Sequence, residues 1–215
     1  MSYQYLLFDL DGTLTDPGIG ITNAVMYALK KFNITVNDRA SLYKFIGPPL
    51  IESFMEFYGF TKEDAMKAVI YYREYYNDKG LFENKPYDGI DNVLQELKDA
   101  NKTLIVATSK PTIMAERILK HFGLDSYFTD IVGSNMDNTR TKKHEVIEYV
   151  LESHHITDLH DAIMIGDRKH DINGANVFGL DSIGVLYGYG DREEHLEAGA
   201  TYIVKEAKEI VSLVI

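Results

Sequence analysis

The chain of 215 residues contains no cysteine. That absence excludes structural disulfides and thiolate zinc sites, and it equally excludes phosphate chemistry on a cysteine nucleophile. Basic residues are scarce as well, with 22 Lys and Arg against 33 Asp and Glu, for a formal charge of −11. A nucleic-acid polymer or an anionic membrane surface needs clustered Lys and Arg, so neither is expected as a partner. No apolar run is long enough to cross a bilayer, and no basic-then-apolar leader opens the sequence, so a cytoplasmic protein is expected. What is present is ordinary: 45% hydrophobic and 26% charged residues suffice for a proper core in one large or two unequal domains.

Short aliphatic or β-branched runs recur at residues 5–8, 103–107, 131–134, 163–165, 182–186 and 202–204, with helical segments between them. Such alternation predicts an α/β fold, a Rossmann-like parallel sheet with helices on both faces. In an open sheet of this kind, ligands bind beyond the carboxyl ends of the strands. Residues 17–86 break the rhythm, because their apolar residues fall at helical spacing. Ile21, Val25, Ala28, Leu29 and Phe32 make one stripe, and Ala65, Val69, Tyr72 and Tyr76 another. The spacing therefore predicts a helical insert at 17–86 within a core domain of residues 1–16 and 87–215, with Gly18, Gly20 and residues 84–89 as hinges. The clustered Tyr71, Tyr72, Tyr75 and Tyr76 are expected to be helix packing rather than a ligand platform.

The first strand runs straight into Asp9-Leu10-Asp11-Gly12-Thr13. Two carboxylates one residue apart at a buried strand end are costly unless a cation neutralises them. A hard divalent ion such as magnesium binds through one or two carboxylates plus phosphate oxygens. With that ion in place, Asp9 can attack a phosphorus atom while Asp11 handles the proton. A second acidic loop, Gly166-Asp167-Arg168-Lys169-His170-Asp171, follows the strand at 163–165. Asp167 is placed there to complete the metal site with Asp9 and the backbone carbonyl of Asp11, while Asp171 either reaches the metal, directly or through water, or caps the following helix. Between these loops, Thr108 ends a strand with a hydroxyl able to hold a phosphoryl oxygen. Lys142 and Lys143 open an amphipathic helix, where a cation is unfavourable unless an anion sits nearby. Lys143 is the first choice for the ammonium bridging nucleophile and phosphate, and Lys142 the alternative. The histidines at 154, 155 and 160 are expected at the surface or as caps rather than on zinc.

In this order, the Asp-x-Asp-Gly-Thr loop, the Thr, the Lys and the Gly-Asp-x-x-x-Asp loop resemble the haloacid dehalogenase superfamily of phosphohydrolases over nearly the whole chain. The strings Thr108-Ser109-Lys110-Pro111, His121-Phe122-Gly123-Leu124 and Phe45-Ile46-Gly47-Pro48-Pro49-Leu50 look like its phosphoglycolate phosphatase-like and 5′-nucleotidase-like branch. The resemblance implies that the insert is a helical cap, that Asp9 is the nucleophile and Asp11 the general acid/base, and that Mg²⁺ is the cofactor, with Asp9, Asp11, Asp167 and Asp171 at the metal. Gly12, Thr13 and Ser109, with Gly47 and Pro48 from the cap, complete the expected substrate-binding set. The implied reaction is hydrolysis of a small phosphorylated metabolite by a monomer or homodimer through an aspartyl phosphate. A phosphomutase of the same architecture (β-phosphoglucomutase-like) and a pyrophosphatase remain as alternatives, and behind them a non-catalytic binding module. The chain departs from the resemblance where many members carry Lys-Pro and it carries Lys142-Lys143-His144.

Overall fold

The computed structural model describes residues 2–137 and 139–215. The chain divides into two compact units, Met1–Thr15 with Pro86–Ile215, and Asp16–Lys85. Each border falls one residue earlier than the sequence reading placed it. In chain order the larger unit opens with β1 (Tyr5–Phe8), and β2 (Thr15–Asp16) follows at the first border. The smaller unit holds α1 (Gly18–Lys31), α2 (Leu50–Tyr58) and α3 (Lys62–Tyr75), and β3 (Lys85–Pro86) marks the return. The rest of the larger unit is α4 (Ile90–Asp99), β4 (Thr103–Pro111), α5 (Thr112–His121), β5 (Asp130–Ser134), α6 (Lys143–Ser153), β6 (Ala162–Gly166), α7 (Lys169–Asn176), β7 (Asp181–Val185), α8 (Arg192–Ala198), β8 (Tyr202–Val204) and α9 (Glu209–Val214).

Six strands form one parallel sheet in the order β5-β4-β1-β6-β7-β8, flanked by helices. Leu6, Leu7 and Phe8 on β1 are fully buried, as are Leu104 to Ala107 on β4 and Ala162 to Ile165 on β6. A strand covered on both faces reads as a continuous apolar run rather than an alternating one, which is why these three stand out in the sequence. Phe8 is level with Val106 of β4 and with Ile165 of β6. Asp9 therefore emerges level with Ala107 of β4 and with the end of β6, with β4 and β5 on one side of β1 and β6, β7 and β8 on the other. This is the topological switch point at which open parallel sheets bind ligands. Helix α6 packs Val146, Ile147, Val150 and Leu151 into a core cluster with Leu7, Ile105 and Met164. That packing fixes its first residue, Lys143, above the strand ends. No helix among the described residues is long and apolar enough to cross a membrane.

In the smaller unit the expected stripes face inward, with Val25, Ala28, Leu29 and Ala65 fully buried, and Phe54 of α2 is buried with them. Aromatic pairs fill much of this core, with Phe45 edge-on to Phe54 at 5.1 Å and Tyr72 stacked on Tyr76 at 5.1 Å. Such contacts add to the burial of large apolar area, so Tyr72 of α3 and Tyr76 just beyond it serve packing. Two details differ from the sequence reading. Gly18 and Gly20 are not at a joint but in the first turn of α1, where the backbone of Gly80 lies so close that a side chain at position 20 would collide with its carbonyl. The small residue is required by that approach. Residues 17–86 also end in a strand, since β3 pairs with β2, and two residues are too few to show any alternation.

Candidate active site

The strand ends of the larger unit assemble the acidic loops. Asp9 follows β1 and its own N–H donates to Ile165 O at 2.9 Å, which locks it beside β6. Its Oδ1 accepts the Leu10 N–H at 2.8 Å and an ion pair from Lys143 Nζ at 2.9 Å. Lys143 Nζ also meets Asp171 Oδ1 at 2.7 Å and donates to Ala107 O at 2.9 Å. One ammonium thus ties together β4, the loop after β1 and the start of α7. Lys142 is exposed and occupies the N-cap of α6. Asp171 caps α7 through Oδ2, which accepts the Arg168 N–H at 3.1 Å, and turns Oδ1 to Lys143. Of the two roles weighed from the sequence, the helix cap is present, and the same side chain also pairs with Lys143.

Asp9, Asp167 and Asp171 are buried and present carboxylate oxygens within 4.8 Å of one another, a group able to hold a metal ion. Asp167 Oδ2 accepts the Tyr189 N–H at 2.8 Å, while its buried Oδ1 has no hydrogen-bond partner. A buried acceptor without a donor costs about 1–3 kcal/mol unless something fills it. Gly12 carries a φ of +85° and lies so near Asp167 that any Cβ would strike the carboxylate. Both the turn and the close approach therefore demand glycine. The Asp11 side chain is not among the cluster's ligands; its Oδ2 instead pairs with Lys110, and its buried Oδ1 has no partner. Thr13 Oγ1 is likewise buried and unpartnered, and Thr108, 1% exposed, accepts the Lys110 N–H at 3.3 Å. Ser109 is half-buried beside it. Gly47 and Pro48 belong to the smaller unit, where Gly47 turns the chain with a φ of +103° before α2.

Three contributors escaped the sequence reading. Lys110 stands in plain view in the string of residues 108–111, but nothing in that string assigns it a partner. The Tyr189 N–H carries no side-chain signature. Glu194, on α8, clamps the second acidic loop by accepting from Arg168 Nε at 2.9 Å and from the Lys169 N–H at 2.7 Å. Nothing local announces a partner 25 residues away.

Fully ionised, Asp9, Asp11, Asp167 and Asp171 would outnumber by two the ammonium groups that form ion pairs with them among the described residues, Lys110 and Lys143, with the Arg168 charge acting on Asp167 as a weaker influence. Two surplus negative charges in a buried crevice suit a divalent cation, and without one the carboxylates must hold protons instead. Burial, reinforced by Asp171 and Asp9, pushes Asp167 well above the usual carboxylate range. Burial also lifts Asp171, to about 6, although Lys143 opposes it. For Lys143, burial is the largest influence and would lower the pKa, yet the Asp171 and Asp9 charges together outweigh it and hold the ammonium above its ordinary value. Asp11 is raised chiefly by burial, against the pull of Lys110.

These shifts fix the sign of a pH dependence. Asp167 and Asp171 bind protons more tightly folded than unfolded, so their contribution to stability is complete below the unfolded value of about 4 and is lost as pH rises, for Asp171 through about 6. Metal-free protein should therefore lose the Asp171 share of this contribution between about pH 4 and pH 6 and the Asp167 share as the pH rises through its own raised value, and added magnesium should raise the melting temperature more at about pH 7.5 than at about pH 5. Thermal denaturation with and without magnesium at the two pH values checks this. An equal or larger shift at the lower pH would contradict it.

A family model described as haloacid dehalogenase-like hydrolase matches residues 6–185. The chain belongs to that family and is a phosphatase, a hydrolase of phosphate esters. It is 47% identical over 194 residues to a protein of Pseudomonas aeruginosa named 5′-nucleotidase, covering 90% of this chain and 87% of that one. A tyrosine-protein kinase of Mycobacterium tuberculosis, PtkA, is 36% identical over 213 residues, which cover 99% of this chain and 72% of that protein. Among solved structures, one described as a predicted phosphatase from Clostridium acetobutylicum matches with a TM-score of 0.96 and 53% identity, covering 100% of this chain and 99% of that one.

Proposed function

We propose that the protein is a magnesium-dependent phosphatase that hydrolyses a small phosphate monoester through an aspartyl phosphate on Asp9. The observation that carries this reading is the coincidence of Asp9, Asp167, Asp171 and Lys143 at the switch point of the sheet, with the buried Asp167 Oδ1 still lacking a partner. Asp9, Asp167 and Asp171 would hold the ion, with the Asp11 carbonyl completing the set. When bound, magnesium supplies positive charge that offsets repulsion between the carboxylates and the phosphate.

The protein groups divide the reaction between them. Because the Leu10 N–H and Lys143 both engage Asp9 Oδ1, Oδ2 is the oxygen that attacks phosphorus. The new Asp9–phosphorus bond forms as the ester bond breaks, and protonated Asp11 gives its proton to the leaving oxygen. Asp11 then takes a proton from water, whose oxygen bonds to phosphorus while the acyl phosphate bond breaks. The sum is ester plus water going to alcohol plus phosphate. Thr108 and Lys143 stabilise the equatorial oxygens, since phosphoryl transfer depends mostly on positioning and electrostatics. The buried, unpartnered hydroxyl of Thr13 supports assigning it to the same phosphate-binding set.

The relative named 5′-nucleotidase makes a nucleoside 5′-monophosphate the first substrate to test. Phosphoglycolate, sugar phosphates, pyrophosphate and phosphotyrosine complete the panel. Free phosphate should appear with magnesium and vanish after exhaustive chelation, and calcium should inhibit because its longer, looser coordination fits an in-line arrangement poorly. Full activity after chelation, or a sugar phosphate isomer without free phosphate, would overturn the reading.

A further inference from the structure

Lys110 carries a role that neither the motif pattern nor the metal cluster assigns. It lies two residues beyond Thr108, where the pairing of β4 with β5 becomes irregular between Ala107 and Pro111. Its side chain is only 7% exposed, and its Nζ donates to Asp11 Oδ2 across 99 residues of sequence. The backbone N–H of the same residue donates to Thr108 Oγ1 at 3.3 Å. Lys143 serves Asp9 and Asp171, so the two buried ammonium groups have separate clients. A buried ion pair is weak evidence of net stability, because desolvation offsets its attraction. Its strongest effect is geometric. With Oδ2 engaged, Asp11 is held in one orientation, and its other oxygen, Oδ1, is buried and unpartnered.

We infer that Lys110 is the positioning residue for Asp11: by holding Oδ2 it makes Oδ1 the oxygen that exchanges a proton with the leaving group and the attacking water. The inference rests on the acid/base role proposed for Asp11. Without the ammonium, the Asp11 carboxyl turns about its broad χ2 torsion and the side chain can change its χ1 rotamer, so it spends less time aimed at the reacting oxygen. The loss should fall on substrates that need the proton. An aryl phosphate leaves as a stabilised phenolate and needs little help, whereas an aliphatic phosphate ester depends on protonation.

The test compares p-nitrophenyl phosphate with the best aliphatic phosphate ester of the panel, both with magnesium, in wild type, Lys110→Met, Lys110→Arg, Asp11→Asn and the Asp11→Asn/Lys110→Met double variant. Lys110→Met keeps the unbranched stem and removes the charge. It should lower kcat on the aliphatic ester by roughly 10- to 100-fold and on the aryl ester by less than about fivefold, with KM on both within about threefold. Lys110→Arg should recover part of the loss. In the Asp11→Asn background, Lys110→Met should cost nothing further, because a residue that acts through Asp11 has no effect once Asp11 cannot transfer a proton. Lys110→Gln replaces Lys110→Met if the latter does not fold, as judged by thermal denaturation. A rise in KM at unchanged kcat would mean that Lys110 contacts substrate, and an equal kcat loss on both esters, or additive losses in the double variant, would mean a structural role; each overturns the inference. If Asp11→Asn itself slows both esters equally, the acid/base reading of Asp11 fails and the inference fails with it. If Asp11→Asn discriminates between them and Lys110→Met does not, only the role of Lys110 fails.

Discussion

Asp9→Asn should reduce turnover by a factor of about 10⁴ or more while leaving the fold intact. An amide is too poor a nucleophile to displace an alkoxide from phosphorus, and no second carboxylate can stand in for Asp9. Asp167 is turned towards the Tyr189 N–H, Asp171 caps α7 and pairs with Lys143, and Asp11 is tied to Lys110. The fold survives because an asparagine oxygen can still accept from the Leu10 N–H and from Lys143. Unfolding free energy should change by no more than about 1 kcal/mol. Two measurements check this: phosphate release on the best substrate, and acid quenching of the enzyme with radiolabelled substrate. Label should remain on wild type and be absent from Asp9→Asn. Turnover within tenfold of wild type, or label retained on the variant, would remove Asp9 from the nucleophile's place.

Much of the larger unit is legible in the sequence because its strands are buried on both faces. Continuous runs such as residues 5–8 and 162–165 announce themselves, and the loops that follow them carry the acidic residues in plain view. The α6 stripe of Val146, Ile147, Val150 and Leu151 is equally readable at helical spacing. What the sequence hides is pairing at a distance. That Lys110 turns to Asp11 depends on β4 lying beside β1, and that Asp171 both caps a helix and meets Lys143 depends on α6 and α7 starting side by side. The Tyr189 N–H enters from the loop after β7 and Glu194 from α8, and neither stretch of sequence gives a chemical cue. Glycine misled in one place. Gly20 reads as a flexible joint, but it is fixed within α1 by the backbone of Gly80.

The two neighbouring lysines that the sequence leaves as alternatives should separate sharply by experiment. Lys143→Met removes the only side-chain cation recorded between Asp9 and Asp171 among the described residues, leaving two buried carboxylates facing each other. Breaking a buried pair by deleting one partner is expensive, so at about pH 7.5 the metal-free variant should lose roughly 3–5 kcal/mol of unfolding free energy. The loss should shrink towards about pH 5, because the carboxylates can take up protons in place of the ammonium, and Asp171 already holds its proton up to about 6. Magnesium should restore part of the stability by bringing positive charge back to the cluster. It should not restore turnover, since the proposed donor to the equatorial oxygens is gone and the Leu10 N–H is left to hold Asp9 Oδ1 without the ammonium. Lys142→Met offers the contrast. That side chain is exposed at the N-cap of α6, and the capping contact there is made by its backbone N–H to Glu145 at 3.1 Å. Its stability should change by less than about 0.5 kcal/mol and its turnover by less than about twofold. Urea denaturation and phosphate release on both variants decide the matter. A Lys142→Met enzyme as impaired as Lys143→Met would show that the catalytic ammonium comes from the exposed lysine, and that the buried one serves the fold alone.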